Sequence, residues 1–166
     1  MNQQLNTKEQ ISFWCKEHQI EYFTINDNLT VDVDGNVILY MCKMDILPIQ
    51  FGYVSGDFIL GENNLKTLKG VPYSVGGDFI CGGNDIRDLD YFPKDITLRI
   101  ILLKNKLTSY TSPLEHANNI IWISHSIPGL NYLEIDEHGY YKYNIEDYLL
   151  WNKDTKYFLQ KHDFII

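Results

Sequence analysis

Asn63, Asn84 and Asn105 stand 21 residues apart, and nearly everything around them repeats at that interval. Phe58, Phe79 and Ile100 share it, as do Val54, Val75 and Ile96, then Leu65, Ile86 and Leu107, then Leu68, Leu89 and Tyr110. The stretch 55–68, SGDFILGENNLKTL, is echoed by 76–89, GGDFICGGNDIRDL. A fixed period of about 20–29 residues is the mark of a solenoid, in which each unit buries its apolar face only by stacking on its neighbours. The period therefore constrains the fold more than any single motif does. It predicts a ladder of short parallel strands, one per unit, with 58 and 60, 79 and 81, and 100 and 102 pointing inward.

The period extends in both directions. One step back from Gly56, Phe58, Leu60, Asn63, Leu65 and Leu68 stand Gly35, Val37, Leu39, Cys42, Met44 and Leu47. This puts Cys42 in the asparagine slot, read as a buried position that wants a small hydrogen-bonding side chain. One step forward from Ile100 and Leu102 are Ile121 and Ile123, with Ser126 in place of Asn. Each clear unit starts near a proline, Pro48, Pro72 or Pro93, and the first carries extra residues at Ile49–Phe51. Buried turns must pair their backbone N–H and C=O groups. Asn63, Asn84 and Asn105, with Cys42 before them, are assigned that structural role.

Before the repeats, Thr7 and Gln10 form a capping-box pattern, which predicts a short amphipathic helix over about 8–18. A strand is expected over 20–25 and turns at Asp27-Asn28 and Asp34-Gly35. After 130 the pattern changes to a hairpin signal at Glu137-His138-Gly139 and a helical apolar face from Ile145 onward. The expected organisation is an N-terminal cap of helix plus strand over 1–29, a solenoid of four to five units over 30–130 and a C-terminal α/β cap over 131–166. The whole is one α/β repeat domain.

The spacing Phe58-x-Leu60-x-x-Asn63-x-Leu65-x-x-Leu68, repeated from Phe79 and from Ile100, resembles the leucine-rich-repeat family. The Gly-Asp-Phe variant with a proline-led start is similar to the short, degenerate repeats of small bacterial and phage proteins. The resemblance covers about 30–128. It implies a curved parallel-sheet solenoid whose concave face binds protein, and it implies no activity. A phage-encoded inhibitor of a host antiviral-defence protein is the role that the resemblance suggests.

Strand residues alternate sides. With 58 and 60 inward, the slot between them faces out, and down the ladder it reads Ile38, Ile59, Ile80, Ile101 and Trp122. At the strand spacing of about 4.8 Å, five rungs make an apolar stripe roughly 19 Å long. One flank carries Asp57, Asp78 and Arg99, and the other carries Tyr40 and Leu103. An exposed contiguous apolar patch marks an interaction site. These ten residues are the expected partner-binding set, engaging a protein partner. The alternative is a structural or self-associating module that buries the stripe in a homo-oligomer.

The net charge of −8 opposes binding to nucleic acid or to anionic membrane, both of which need a basic field. No apolar run approaches a membrane span and no signal peptide is visible. Three unpatterned cysteines suit a reducing compartment, so a cytoplasmic protein is expected. Asp32-Val33-Asp34-Gly35 fails as a calcium loop, since Thr30 and Met41 occupy the first and last ligand slots. The five histidines lack zinc spacing. No metal, cofactor or catalytic residue is expected. The one enzymatic reading, a hydrolase using the Asp57/Asp78 pair, has only the closeness of two carboxylates behind it.

Overall fold

The computed structural model describes residues 4–102 and 104–106 in full, and the backbone of 121–123. All of these lie in one compact unit, Met1–Ile127. The expected C-terminal cap over 131–166, the side chain of Trp122 and Leu103 fall outside the described residues.

Helix α1 spans Lys8–Glu17. Thr7 caps it, its Oγ1 accepting the Gln10 N–H at 3.2 Å. The Gln10 amide oxygen reaches back to accept the Asn6 N–H, also at 3.2 Å, one residue short of an ideal capping box. Ile11 and Cys15 form its buried face. Trp14 stacks on His18 and meets Phe51 edge-on at 6.4 Å between ring centres, so the helix rests against the first coil.

The chain then winds into stacked coils, and each coil contributes two strands where the repeat spacing predicted one. The first sheet holds β1 (Phe23–Ile25), β2 (Thr30–Val33), β4 (Gln50–Val54), β6 (Ser74–Val75) and β8 (Asp95–Ile96) in the order β1-β2-β4-β6-β8. The second holds β3 (Val37–Ile38), β5 (Phe58–Ile59), β7 (Phe79–Ile80), β9 (Ile100–Leu102) and β10 (Ile121–Ile123), in that spatial order. Every pairing is parallel except β1–β2, an antiparallel hairpin closed by the Asp27-Asn28 turn. The period is strict in the second sheet: Val37 pairs with Phe58, Phe58 with Phe79, Phe79 with Ile100 and Ile100 with Ile121. Among the described residues the architecture is a parallel β-solenoid with one helix.

The second strand of each coil explains the recurrence of Val54, Val75 and Ile96. Val33, Val54 and Val75 are buried on the inner side of the first sheet. A strand of two residues is too short for alternation to show in sequence. Ile49 and Phe51, expected to be extra residues at the start of the first unit, are fully buried core. The register between β2 and β4 slips between Val31 and Val33, a bulge that gives β4 one residue more than β2; from Val33 onward the step is 21 residues in this sheet too, so the first unit carries no insertion and Pro48 is not the counterpart of Pro72.

Packing runs along the coil axis. Phe58 stacks on Phe79 at 6.1 Å with the rings 7° from parallel. Phe51 meets Phe58 edge-on at 5.0 Å, and Phe92 meets Phe79 at 5.4 Å. Leu60, Leu65, Leu68, Cys81, Ile86, Ile100 and Leu102 complete the core. Each fully buried aromatic or aliphatic side chain stabilises the coil by about 1.5–3 kcal/mol relative to exposure.

Candidate functional site

The outward slot of the second sheet forms the stripe expected from the period. Ile38 lies beside Ile59, Ile59 beside Ile80, Ile80 beside Ile101, and the backbone of Trp122 beside Ile101. Ile38 is 58% exposed, while Ile59, Ile80 and Ile101, each flanked by two rungs, are half-buried. Tyr40 is exposed as well, and its ring lies over the next coil: a Cβ on Gly61 would sit 3.1 Å from Tyr40 Cδ2. Gly61 therefore gives the tyrosine ring its seat. Met41, 63% exposed, extends the apolar surface at this end and was not among the residues expected from sequence.

The acidic flank has a different character from the stripe. Asn36 Oδ1 accepts the Asp57 N–H at 2.8 Å, and Asp57 Oδ1 accepts the Asp78 N–H at 2.8 Å. Asp78 Oδ1 in turn accepts the Arg99 N–H at 2.9 Å. Each side chain caps the backbone of the same slot one coil on. The glycine before the aspartate makes room for this: a Cβ on Gly56 would collide with Asn36 Oδ1, and one on Gly77 with Asp57 Oδ1. The first sheet uses the same device, with Asp32 Oδ1 accepting the Tyr53 N–H at 2.7 Å beside Gly52.

Asp78 is the most committed of these groups. It is 4% exposed, and Arg99 grips it through Nε at 3.0 and 3.1 Å and through Nη2 at 2.5 Å. Hydrogen bonding to Asp78 raises the Arg99 pKa further above its ordinary value. The Asp57 and Asp78 carboxylates thus belong to a coil-to-coil ladder, and Asp78 is closed to solvent.

A second ladder runs through the asparagines. Asn63 Oδ1 accepts the Met44 N–H at 3.1 Å, while its Nδ2 donates to Leu39 O at 2.7 Å and Leu60 O at 2.9 Å. Asn84 does the same with the Leu65 N–H at 3.0 Å and with Leu60 O and Cys81 O at 3.0 and 3.3 Å. Asn105 takes the Ile86 N–H at 3.1 Å and donates to Cys81 O at 2.8 Å. Each asparagine therefore ties its own turn to the preceding coil. Cys42 differs from the expectation of a buried slot. It is exposed, and its thiol makes a long contact of 3.5 Å to Tyr40 O. The first turn of the ladder has no preceding turn to tie to, so an amide has no second role there.

The residue before each of these four slots, Met41, Glu62, Gly83 and Lys104, is left-handed, with φ of 56, 54, 68 and 55°. That column was hidden in sequence, because only Gly83 advertises the conformation.

Among the described residues no group of three or more His, Cys, Asp or Glu side chains is placed to hold a metal, and no helix is long and apolar enough to cross a membrane. No protein-family profile matches the chain, and comparison with curated proteins and with solved structures finds no similar protein.

Proposed function

We propose that the chain is a non-enzymatic binding module whose second sheet presents the Ile38–Ile59–Ile80–Ile101–Trp122 stripe to a protein partner. The observation that carries this reading is the strand register. Four isoleucines occupy one outward slot on adjacent parallel rungs, with Ile38 at one end largely in water, and the backbone of Trp122 adds the next rung beside Ile101. A patch of this continuity on a soluble surface favours association. Tyr40 and Met41 widen it at the first coil. Asp57 and Arg99 lie along its border, where they would orient a partner, and Asp78 acts through Arg99. Within the family resemblance this is a leucine-rich-repeat-like binding face, and its expected setting is a phage-encoded inhibitor acting in the host cytoplasm on a defence protein.

The test is an Ile59→Asp/Ile80→Asp double variant used beside the natural chain to capture proteins from lysate of the native host. Both positions are half-buried and outward, so the variant should keep its cooperative unfolding. The proposal expects a protein retained by the natural chain and lost by the variant. Equal retention by both, or a variant that no longer folds, contradicts it.

A further inference from the structure

The outward face of the second sheet offers a partner side chains and almost no backbone. The N–H groups of Val37 and Leu39 donate to Asp57 O and Ile59 O, each at 2.8 Å. Those of Phe58 and Leu60 donate to Asp78 O and Ile80 O at 2.8 and 2.7 Å, and those of Phe79 and Cys81 to Arg99 O and Ile101 O at 2.8 Å. These bonds run from coil to coil within the plane of the sheet. An extended segment laid on the face would bury its own N–H and C=O groups without partners, at a cost of about 1–3 kcal/mol each. A helix brings its backbone hydrogen bonds with it.

Spacing points the same way. Ile38, Ile59, Ile80 and Ile101 leave three gaps, about 4.8 Å apart along the coil axis. Helix residues i, i+4 and i+7 step along their axis by about 5.3 Å on average, so over two steps they stay within roughly 1 Å of the gaps. Same-side residues of an extended chain step by about 6.7 Å and drift by nearly a whole rung. On one flank Gly82 leaves the side of Ile80 open, and the Tyr40 ring over Gly61 bounds that opening.

The charges beside the stripe are ordered along it. At β5 both borders are acidic, with Asp57 on one side and exposed Glu62 on the other. Glu62 leans toward β7, where a Cβ on Gly83 would come within 2.5 Å of its Oε1. At β9 the borders carry Arg99, which grips Asp78, and exposed Lys104.

We propose that the occupant of this face is one amphipathic α-helix of a partner protein, about 10–12 residues long, lying across the strands along the row of isoleucines. The inference rests on the binding face proposed above and names what binds there. The helix sets one apolar residue per turn between the isoleucines. It carries Lys or Arg beside β5 and Asp or Glu beside β9. Its N-terminus, which bears about half a positive charge, lies at the β5 end.

The experiment selects random peptides of about 16 residues, some four helical turns, displayed on phage against the full natural chain. Counter-selection uses Ile59→Asp/Ile80→Asp, first shown to unfold like the natural chain. Enriched peptides are synthesised, followed by circular dichroism on binding, and titrated against the natural chain and Glu62→Lys/Lys104→Glu. The expected peptides carry apolar residues at i, i+3 or i+4 and i+7, gain helical signal when bound and lose binding when a central residue becomes proline. They bind the charge-reversed variant about 3- to 10-fold more weakly. Stripe-dependent peptides that alternate apolar and polar residues, tolerate the proline, or bind both charge variants equally overturn the proposal and leave the binding face standing. A selection with no stripe-dependent peptide contradicts the binding face itself, and the helix with it.

Discussion

Replacing Asn84 with alanine isolates what an asparagine rung contributes. Asn84 is 4% exposed. Its Nδ2 donates to Leu60 O, Cys81 O and Gly82 O at 3.0, 3.3 and 3.3 Å. Those carbonyls keep other donors when Asn84 is lost: Asn63 Nδ2 on Leu60 O, Asn105 Nδ2 on Cys81 O and the Glu62 N–H on Gly82 O. The Leu65 N–H is in a different position, since its bond is to Asn84 Oδ1 at 3.0 Å in a buried turn. Leaving that donor unsatisfied costs about 1–3 kcal/mol, and the weakened carbonyl bonds add about 1 kcal/mol. Asn84→Ala should therefore destabilise by about 2–4 kcal/mol in urea unfolding.

Asn84→Asp separates the two halves of the amide. It keeps the acceptor for Leu65 but turns oxygen toward three carbonyls, so the buried carboxyl favours its protonated form and its folded pKa rises above the ordinary value of about 3.9. A raised folded pKa means stability that is present at low pH and lost as pH rises. The aspartate variant should be worse than alanine at neutral pH and recover on acidification. Cys42→Ala, in the same slot of the first coil, should change stability by less than about 0.5 kcal/mol. An Asn84→Ala effect as small as that at Cys42, or an Asn84→Asp variant with no acid recovery, would refute the ladder.

The acidic ladder predicts that Asp57→Asn is close to neutral in thermal unfolding, because Asn36 already caps the next coil with an amide oxygen. Asp57→Ala should cost about 1–3 kcal/mol by orphaning the Asp78 N–H. Gly77→Ala should be destabilising by about 1–3 kcal/mol, since its Cβ collides with Asp57 Oδ1 and with the backbone beneath it. A thiol reagent should titrate Cys42 alone in the native chain, with Cys15 and Cys81 reacting only on unfolding. Burial raises Cys15 to about 11 and Cys81 to about 12 from the ordinary 9.0. Their contribution to stability is therefore complete below about pH 9 and lost as pH rises through 11 to 12, which alkaline unfolding of Cys81→Ala against the natural chain should show as a shallower decline.

Much of the solenoid is written in the period. Asn63, Asn84 and Asn105 sit where a 21-residue ladder requires, and β10 at Ile121–Ile123 falls one step beyond β9 although Ser126 and Pro128 have already replaced the motif. The second sheet of strands was present as the repeat of Val54, Val75 and Ile96, yet two-residue strands show no alternation by which to recognise them. The aspartates were harder. Asp57 and Asp78 alternate with apolar residues as solvent-facing groups do, and only the glycines before them hint at a carboxylate folded back onto the next rung. Cys42 is exposed against the period because a slot's burial depends on the coil before it, which a period cannot register at its first turn.

The most direct measurement is the solvent access of the stripe in the full chain. Single Ile59→Cys, Ile80→Cys and Ile101→Cys variants in a Cys42→Ser background would be labelled under native conditions, with buried Cys81 as the internal reference. The account predicts all three labelled far faster than Cys81, with rates that fall when a partner is bound. Three cysteines as protected as Cys81 in the free monomer would mean that the stripe is interior, and the binding face would not exist.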